Sequence, residues 1–492
     1  MRITLNTNSL SDYRTFLKIK GLPQYRIRGR EAWFPDEYAE MVGGSEPAVA
    51  PGSDCRLSSF LFDYQRDISR LAIRRKKFCV FADCGLGKTF ILLEFASHAN
   101  SHAGGKTLIV SPLMVIPQTL SEAAHWYPDV EIEKVPASGL QQWLDDGKSG
   151  IGITNYESIR PELTTGNLTG LIADESSMLK SHYGKWATKI LELGRGLEYK
   201  LACTGTPAPN DRIEYANHAV FMDAYPTVNS FLATFFVNRG QTQDRWALKD
   251  HALKPFYRSL SHWSIFLTNP ATYGWKDNCA TLPPIRTHIH DVELTKQQRA
   301  ILRSTTGDLF VTSAGGITTR SFFSQLAKGK HKGEAVETNK PGYVKGLIDS
   351  WPQESTLVWC IYNEEQSSIE RILDCESISG ATKDLDRIVA VERFKSGAAR
   401  TLVSKPKILG FGLNLQIATR QVFSGLSDSY ESYYQAVKRS NRIGSTKALD
   451  VHIPVTELEE PMVANVLQKA AMVQSDTEEQ ERIFKDAGYF EF

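Results

Sequence analysis

Between residues 57 and 210 the apolar positions fall in short unbroken runs, at 78–81, 107–110, 151–154, 171–173 and 199–203, each closed by glycine, proline or polar residues. Unbroken rather than alternating runs are what strands covered on both faces require, and the helical spacing between them supplies the crossovers that parallel strands need. A doubly wound parallel sheet is therefore expected over 57–210. A second alternation follows, with strands at 356–361, 377–378, 401–403 and 421–423 and helices at 364–373, 384–395 and 430–442. The pattern reads as α/β, two tandem lobes of one class.

The remaining segments divide on the same evidence of pattern. Residues 1–42 are mixed and aromatic and read as a small accessory module that could meet DNA or a protein partner. Residues 43–56, with Gly43, Gly44, Pro47, Pro51 and Gly52, read as a linker. Lobe one then spans 57–210 and lobe two 291–455. The aromatic-rich stretch 211–290 reads as a mainly helical insertion with a small core of its own, a nucleic-acid stacking surface being the alternative. Residues 456–492 read as a helical brace. No short-period repeat is present.

Size and composition narrow the class. A chain of 492 residues exceeds what one hydrophobic core usually supports, and shares of 41% hydrophobic and 23% charged residues are those of an ordinary globular protein. No run approaches the roughly 18 apolar residues of a membrane span, and the first residues lack a signal peptide's apolar stretch, so a cytoplasmic, membrane-free, monomeric protein is expected. Seven scattered cysteines without a Cys-x-x-Cys pair indicate neither a disulfide framework nor a zinc ribbon. A net charge of +1 excludes a passive basic coat for nucleic acid, so any such contact must come from local patches.

Candidate chemistry begins at 82–89, Ala-Asp-Cys-Gly-Leu-Gly-Lys-Thr, between a strand and a helical stretch. This is the context of a phosphate-binding loop: Gly85 and Gly87 let the backbone approach phosphate oxygens, Lys88 reaches the β and γ phosphates, and the Thr89 hydroxyl ligates magnesium. Asp174 and Glu175 follow the run at 171–173, which puts both carboxylates at a strand's C-terminal edge. There Asp174 can hold magnesium through water while Glu175 orients and deprotonates the attacking water; alone, such a pair is as readily a solvated turn. Thr204 and Thr206 could sense that pair and pass its state onward, and Gln65 could read an adenine edge or simply lie on a helix surface. Gln435, Arg439 and Arg442, at spacings of four and three, would share one face of the helix at 430–442 and complete the site. The basic clusters 74–77 and 328–332 would suit phosphates or be merely solvated, and His288 and His290 share a strand face as a weak metal hint.

In order and content these stretches resemble the Swi/Snf-like branch of the superfamily 2 nucleic-acid motors. The resemblance runs over about 57–445 and includes 110–113 (Val-Ser-Pro-Leu), 153–157 (Ile-Thr-Asn-Tyr-Glu), 294–298, 378–380 with Arg387 and Phe394, 410–415 and 435–444. It implies RecA-like lobes, a DNA-dependent ATPase using ATP and Mg2+, and an ATP site made of Gln65, Lys88, Thr89, Asp174, Glu175, Gly412, Gln435, Arg439 and Arg442, the last two as arginine fingers. It also implies that Ser111, Pro112, Thr154, Asn155 and the loop 405–410, with Lys405 and Lys407, lie along a DNA backbone, duplex favoured over single strands. Lys438 and Ser445 stand where chromatin-remodelling members carry an acidic residue and Gln, and 406–410 and 427–430 also depart, in wording similar to compact relatives of phages and mobile elements, for which a host cytoplasm would follow. A duplex-tracking motor leads; a strand-separating helicase, an ATP-gated DNA clamp and an RNA substrate remain as alternatives.

Overall fold

The computed structural model describes residues 1–6, 9–22, 24–43, 56–180, 184–240, 246–277, 282–306, 317–409, 414–427, 429–442 and 445–486. The chain divides into two compact units, Met1–Asn278 with Ser475–Phe492, and Cys279–Gln474. Among the described residues no helix is long and apolar enough to cross a membrane.

The first unit opens with β1 (Arg2–Thr4), β2 (Arg26–Arg28) and β3 (Glu31–Trp33), an antiparallel sheet of order β1-β3-β2. Helix Leu10–Lys20, whose Ser9 cap accepts from the Asp12 amide, closes it over Leu5, Ile19, Ala32 and Phe34. The main sheet follows as β4 (Lys77–Ala82), β5 (Lys106–Ser111), β6 (Ile132–Lys134), β7 (Gly150–Asn155), β8 (Leu168–Asp174) and β9 (Tyr199–Thr204). A hairpin of β10 (Phe236–Asn238) and β11 (Trp246–Leu248) leads to β12 (Ser264–Leu267). The order is β12-β4-β9-β8-β5-β7-β6, every neighbour parallel.

Five of those seven strands are the five apolar runs. β12 escapes that pattern because it sits in the aromatic stretch after 211, where apolar residues are everywhere. Its Phe266 pairs in register with Phe81 of β4, their rings 5.0 Å apart. Phe231, Phe235 and Phe256 of helices Val228–Phe235 and Leu253–Ser261 join the same buried cluster as Leu108 and Leu171, so the aromatics up to residue 266 share the core of the first sheet.

The second unit carries β13 (Ile285–Asp291), the hairpin of β14 (Lys330–His331) and β15 (Glu334–Ala335), then β16 (Thr356–Trp359), β17 (Glu376–Ile378), β18 (Thr401–Ser404), β19 (Arg420–Phe423) and β20 (Leu449–Val455). Its sheet runs β13-β20-β19-β16-β18-β17, again parallel throughout. Two parallel sheets with helical crossovers are the tandem RecA-like α/β lobes read from the sequence. Of the cluster 328–332, Lys328 is not a phosphate contact: its ammonium is buried 2.8 Å from Glu459, which Lys340 also meets at 2.6 Å. Burial alone would raise the Glu459 carboxyl, but the two lysines hold it down at about 2. In the other cluster Lys76 pairs with Glu198 and Lys77 with Asp223. His288 and His290 do share a face of β13, where they meet Asp450 and His452; no cluster of three or more His, Cys, Asp or Glu able to hold a metal ion occurs among the described residues.

Candidate nucleotide site

In a parallel sheet all C-terminal ends fall on one edge, and β4, β9, β8 and β5 are consecutive across the first sheet. That edge therefore lines up Ala82 with its loop, Thr204, Asp174 and Ser111 within a few strand spacings of roughly 4.8 Å.

The loop's shape comes from its glycines. Gly85 and Gly87 have φ of 89° and 68°, a left-handed backbone open to residues without a Cβ, and Gly87 caps helix Lys88–Ala103. A Cβ on Gly87 would lie 2.2 Å from the Gln65 amide nitrogen. Gln65 itself is buried: its amide donates to Leu86 O at 3.3 Å and its oxygen accepts from the Phe62 amide at 3.0 Å. Its side chain supports the loop from beneath, a role not foreseen from its position. Tyr64 does the same through a hydroxyl 3.1 Å from Leu86 O. Lys88 curls back to donate to Ala82 O at 2.9 Å and Asp83 O at 3.2 Å, which holds its ammonium over the loop. Thr89, one residue on in the same first turn, is half-buried.

Asp174 is fixed on three sides. Its carboxylate accepts from Ser111 Oγ at 2.8 Å and from the Glu175 amide at 3.0 Å, and its carbonyl accepts from the Tyr156 hydroxyl at 2.7 Å. Burial, then the neighbouring Glu175, push its carboxyl up to about 6 against the Ser111 hydrogen bond and Lys88. Glu175 adopts φ 47°, uncommon for a side chain with a Cβ and a mark of a constrained site. The next residue, Ser176, lies 3.0 Å from His218 Nε2, a buried imidazole that burial holds down at about 4. Thr204 Oγ1 accepts from the Thr206 amide at 3.2 Å, and a Cβ on the intervening Gly205 would sit 3.4 Å from Ala82 O and 3.5 Å from Cys84 N. The two threonines thus straddle a glycine pressed against the phosphate loop. Tyr156 stood inside a motif already singled out; nothing in the spacing marked His218.

This donor set fits a magnesium nucleotide: backbone amides at a helix N-terminus and Lys88 for phosphates, Thr89 and a rigid carboxylate at Asp174 for the metal, and Glu175 beside it as base.

In the second unit helix Tyr430–Val437 ends at Lys438, which corrects the helix expected over 430–442. Gln435 lies in its last turn, buried, with its amide 3.5 Å from Glu431. Arg439 and Arg442 lie in the following turn and do not share a helical face with it. Ser440 and Asn441 favour that turn over helix. Gln421, buried in β19, donates to Ala436 O at 3.1 Å and to Ser440 Oγ at 2.8 Å while accepting from Trp359 Nε1 at 3.0 Å. Ser445 Oγ donates to Ser440 O at 2.8 Å, Arg442 Nε to Lys438 O at 3.0 Å, and the Arg439 carbonyl accepts from Leu415 at 3.0 Å. Arg439 is only 2% exposed. Gly412 lies outside the described residues.

Of the residues expected along DNA, Ser111 and Thr154 are buried, Ser111 donating to Asp174 and Thr154 to Val135 O, each at 2.8 Å. Pro112 and Asn155 are half-exposed at the same edge, Asn155 accepting from Ser158. The stretch after Lys405 is a short helix, Pro406–Leu409, with Lys405 against Asn363 and Lys407 exposed.

The chain matches two family models: the SNF2-related domain over 64–337 and the helicase conserved C-terminal domain over 339–444. It is 23% identical over 429 residues to the DNA annealing helicase and endonuclease ZRANB3 of Mus musculus, covering 81% of this chain and 38% of the relative. It is 22% identical over 499 residues to Protein CHROMATIN REMODELING 4 of Arabidopsis thaliana, covering 88% of this chain and 21% of that one. Among solved structures it is similar to the SWI2/SNF2 ATPase core of Sulfolobus solfataricus in complex with dsDNA, at 19% identity and a TM-score of 0.40, covering 86% of this chain and 95% of that one. The chain thus spans well under half the length of these two curated relatives. With the first model covering more than half of it, the chain belongs to the SNF2-related family, an enzyme of the superfamily 2 helicase class and its Swi/Snf-like branch.

Proposed function

We propose that this protein is a DNA-dependent ATPase that tracks along double-stranded DNA. The observation that carries the reading is the row of Lys88, Thr204, Asp174 with Glu175, and Ser111 along one edge of four adjacent parallel strands. A built base at Glu175 favours hydrolysis over mere nucleotide-gated grip, since a binding switch has no use for an activated water.

When bound, Mg2+ and ATP supply the phosphoanhydride and the charge-neutralising metal. Lys88 and the loop amides hold the phosphates, Thr89 and Asp174 face the metal, Ser111 and Tyr156 keep Asp174 in place, and Glu175 takes the proton of the attacking water. Thr204 and Thr206 relay loop position to the rest of the lobe. In this reading the two lobes close during each cycle, with Gln435, Arg439 and Arg442 presented to the γ-phosphate and Gly412 beside the nucleotide. Pro112, Asn155, Lys405 and Lys407 touch phosphates, which grip DNA without reading sequence. Relatives named as a DNA annealing helicase and for chromatin remodelling favour DNA over RNA as the track.

The deciding experiment measures ATP turnover without nucleic acid, and with single-stranded DNA, duplex DNA and RNA side by side, for the wild type and Glu175→Gln. Duplex should stimulate most, and the variant should lose about a hundredfold or more while still binding ATP. Equal rates under all four conditions would overturn the reading.

A further inference from the structure

The small N-terminal sheet hides one face and shows the other. Its registers place Arg2 and Arg26 opposite Trp33, and Thr4 and Arg28 opposite Glu31. Residues directly opposed on antiparallel strands share a face, so these six stand together, while Ile3, Ile27 and Ala32 point into the core with Ile19 and Phe34. Trp33 is half-buried and takes no part in that core. Arg2, Arg26 and Arg28 are exposed around it, and Tyr25 is 39% exposed at the mouth of β2. Glu31 is taken by Arg2; among the described residues neither Arg26 nor Arg28 is ion-paired.

A half-buried indole framed by exposed guanidinium groups suits few partners. Protein interfaces also favour Trp and Arg, but they pack them among further apolar contacts, whereas the register partners around this ring are three arginines, a glutamate and a threonine. A phosphate-only grip on duplex would use the arginines and leave the indole idle. An unstacked base on the ring with phosphates on the flanking arginines uses both, as sheet platforms for single strands do.

We propose that the outer face of the β1-β3-β2 sheet binds a single-stranded polynucleotide, Trp33 stacking on a base while Arg26 and Arg28 hold neighbouring phosphates. The site shares no residue with the nucleotide loop and does not rest on the motor reading. Its chemistry is common to DNA and RNA strands.

Fluorescence anisotropy of the full chain without nucleotide tests it, with labelled oligo-dT and oligo-U of about 15 nucleotides and a duplex of equal length. Trp33→Ala should weaken single-strand binding about tenfold or more, Trp33→Phe should largely retain it, and duplex binding and ATP turnover should stay as in the wild type. Because Arg26 and Arg28 are exposed, the double variant Arg26→Gln with Arg28→Gln should fold with an unchanged thermal transition, weaken single-strand binding and flatten its log–log salt slope by about 1.4. A larger loss on oligo-U than on oligo-dT would support the site with RNA as the strand. Unchanged single-strand affinity in the arginine variant, or an equal fall on duplex, overturns the proposal. Failure of the motor reading would show elsewhere, as a wild-type ATPase indifferent to DNA.

Discussion

The phosphate loop of the first unit and the arginine turn of the second were read from motifs of similar length, yet they relate to their sequences differently. The loop's geometry is a backbone matter: a strand ends, two glycines take left-handed φ, and a helix begins, all within 82–89. The turn's geometry is a side-chain matter. Whether Gln435, Arg439 and Arg442 share a face depends on where helix Tyr430–Val437 stops, and the turn that follows at Ser440 is held by Gln421 and Ser445 from outside the helix. Local motifs announce backbone; the aim of a long side chain is set by distant partners.

The sharpest way to break this contrast is Arg439→Ala. If the turn serves the γ-phosphate despite leaving the helix, DNA-stimulated turnover falls on the order of a thousandfold with ATP affinity little changed. A rate near wild type in steady-state assay would make the turn a purely structural feature, and the contrast absolute. Next is Glu459→Gln, which leaves Lys328 and Lys340 buried without their carboxylate and should destabilise the second unit by about 3 kcal/mol in chemical denaturation. The sign with pH is fixed by the depressed carboxyl: its stabilisation is present above its ordinary 4.5 and is lost as pH falls toward about 2. Denaturation midpoints followed over that window should lose this acid-labile part in the variant. The smallest effect tests the loop. Gly87→Ala forces a left-handed alanine into the Gln65 amide and should weaken ATP binding about tenfold by calorimetry. Adding Gln65→Ala should recover part of that loss; full additivity would mean that the contact carries no coupling.

How far the sequence could be read follows the same division. The five strands at 78–81, 107–110, 151–154, 171–173 and 199–203 emerged because buried parallel strands are unbroken apolar runs, and the carboxylates at 174–175 followed from one of them. β12 was hidden because aromatic density after 211 masks where a strand begins. Ser111 and Thr154, expected outside along DNA, are buried against Asp174 and Val135 because whether a strand end is solvated depends on its neighbours. Lys328, part of a basic run, became a buried ion because Glu459 lies far away in the chain.

One thread of the chain reverses the order in which the protein can be finished. Helix Glu460–Asp486 begins against Val463 and Val466 in the second unit's core and ends with Phe484 fully buried in the first unit's, where Glu481 accepts from the Thr268 amide at 2.6 Å. The lobe whose strands leave the ribosome first therefore waits for residues 481–484 before its interior is sealed, with the whole of the other lobe synthesised in between. Cutting the chain after the second lobe's core, before Glu481 and Phe484, would unplug the first.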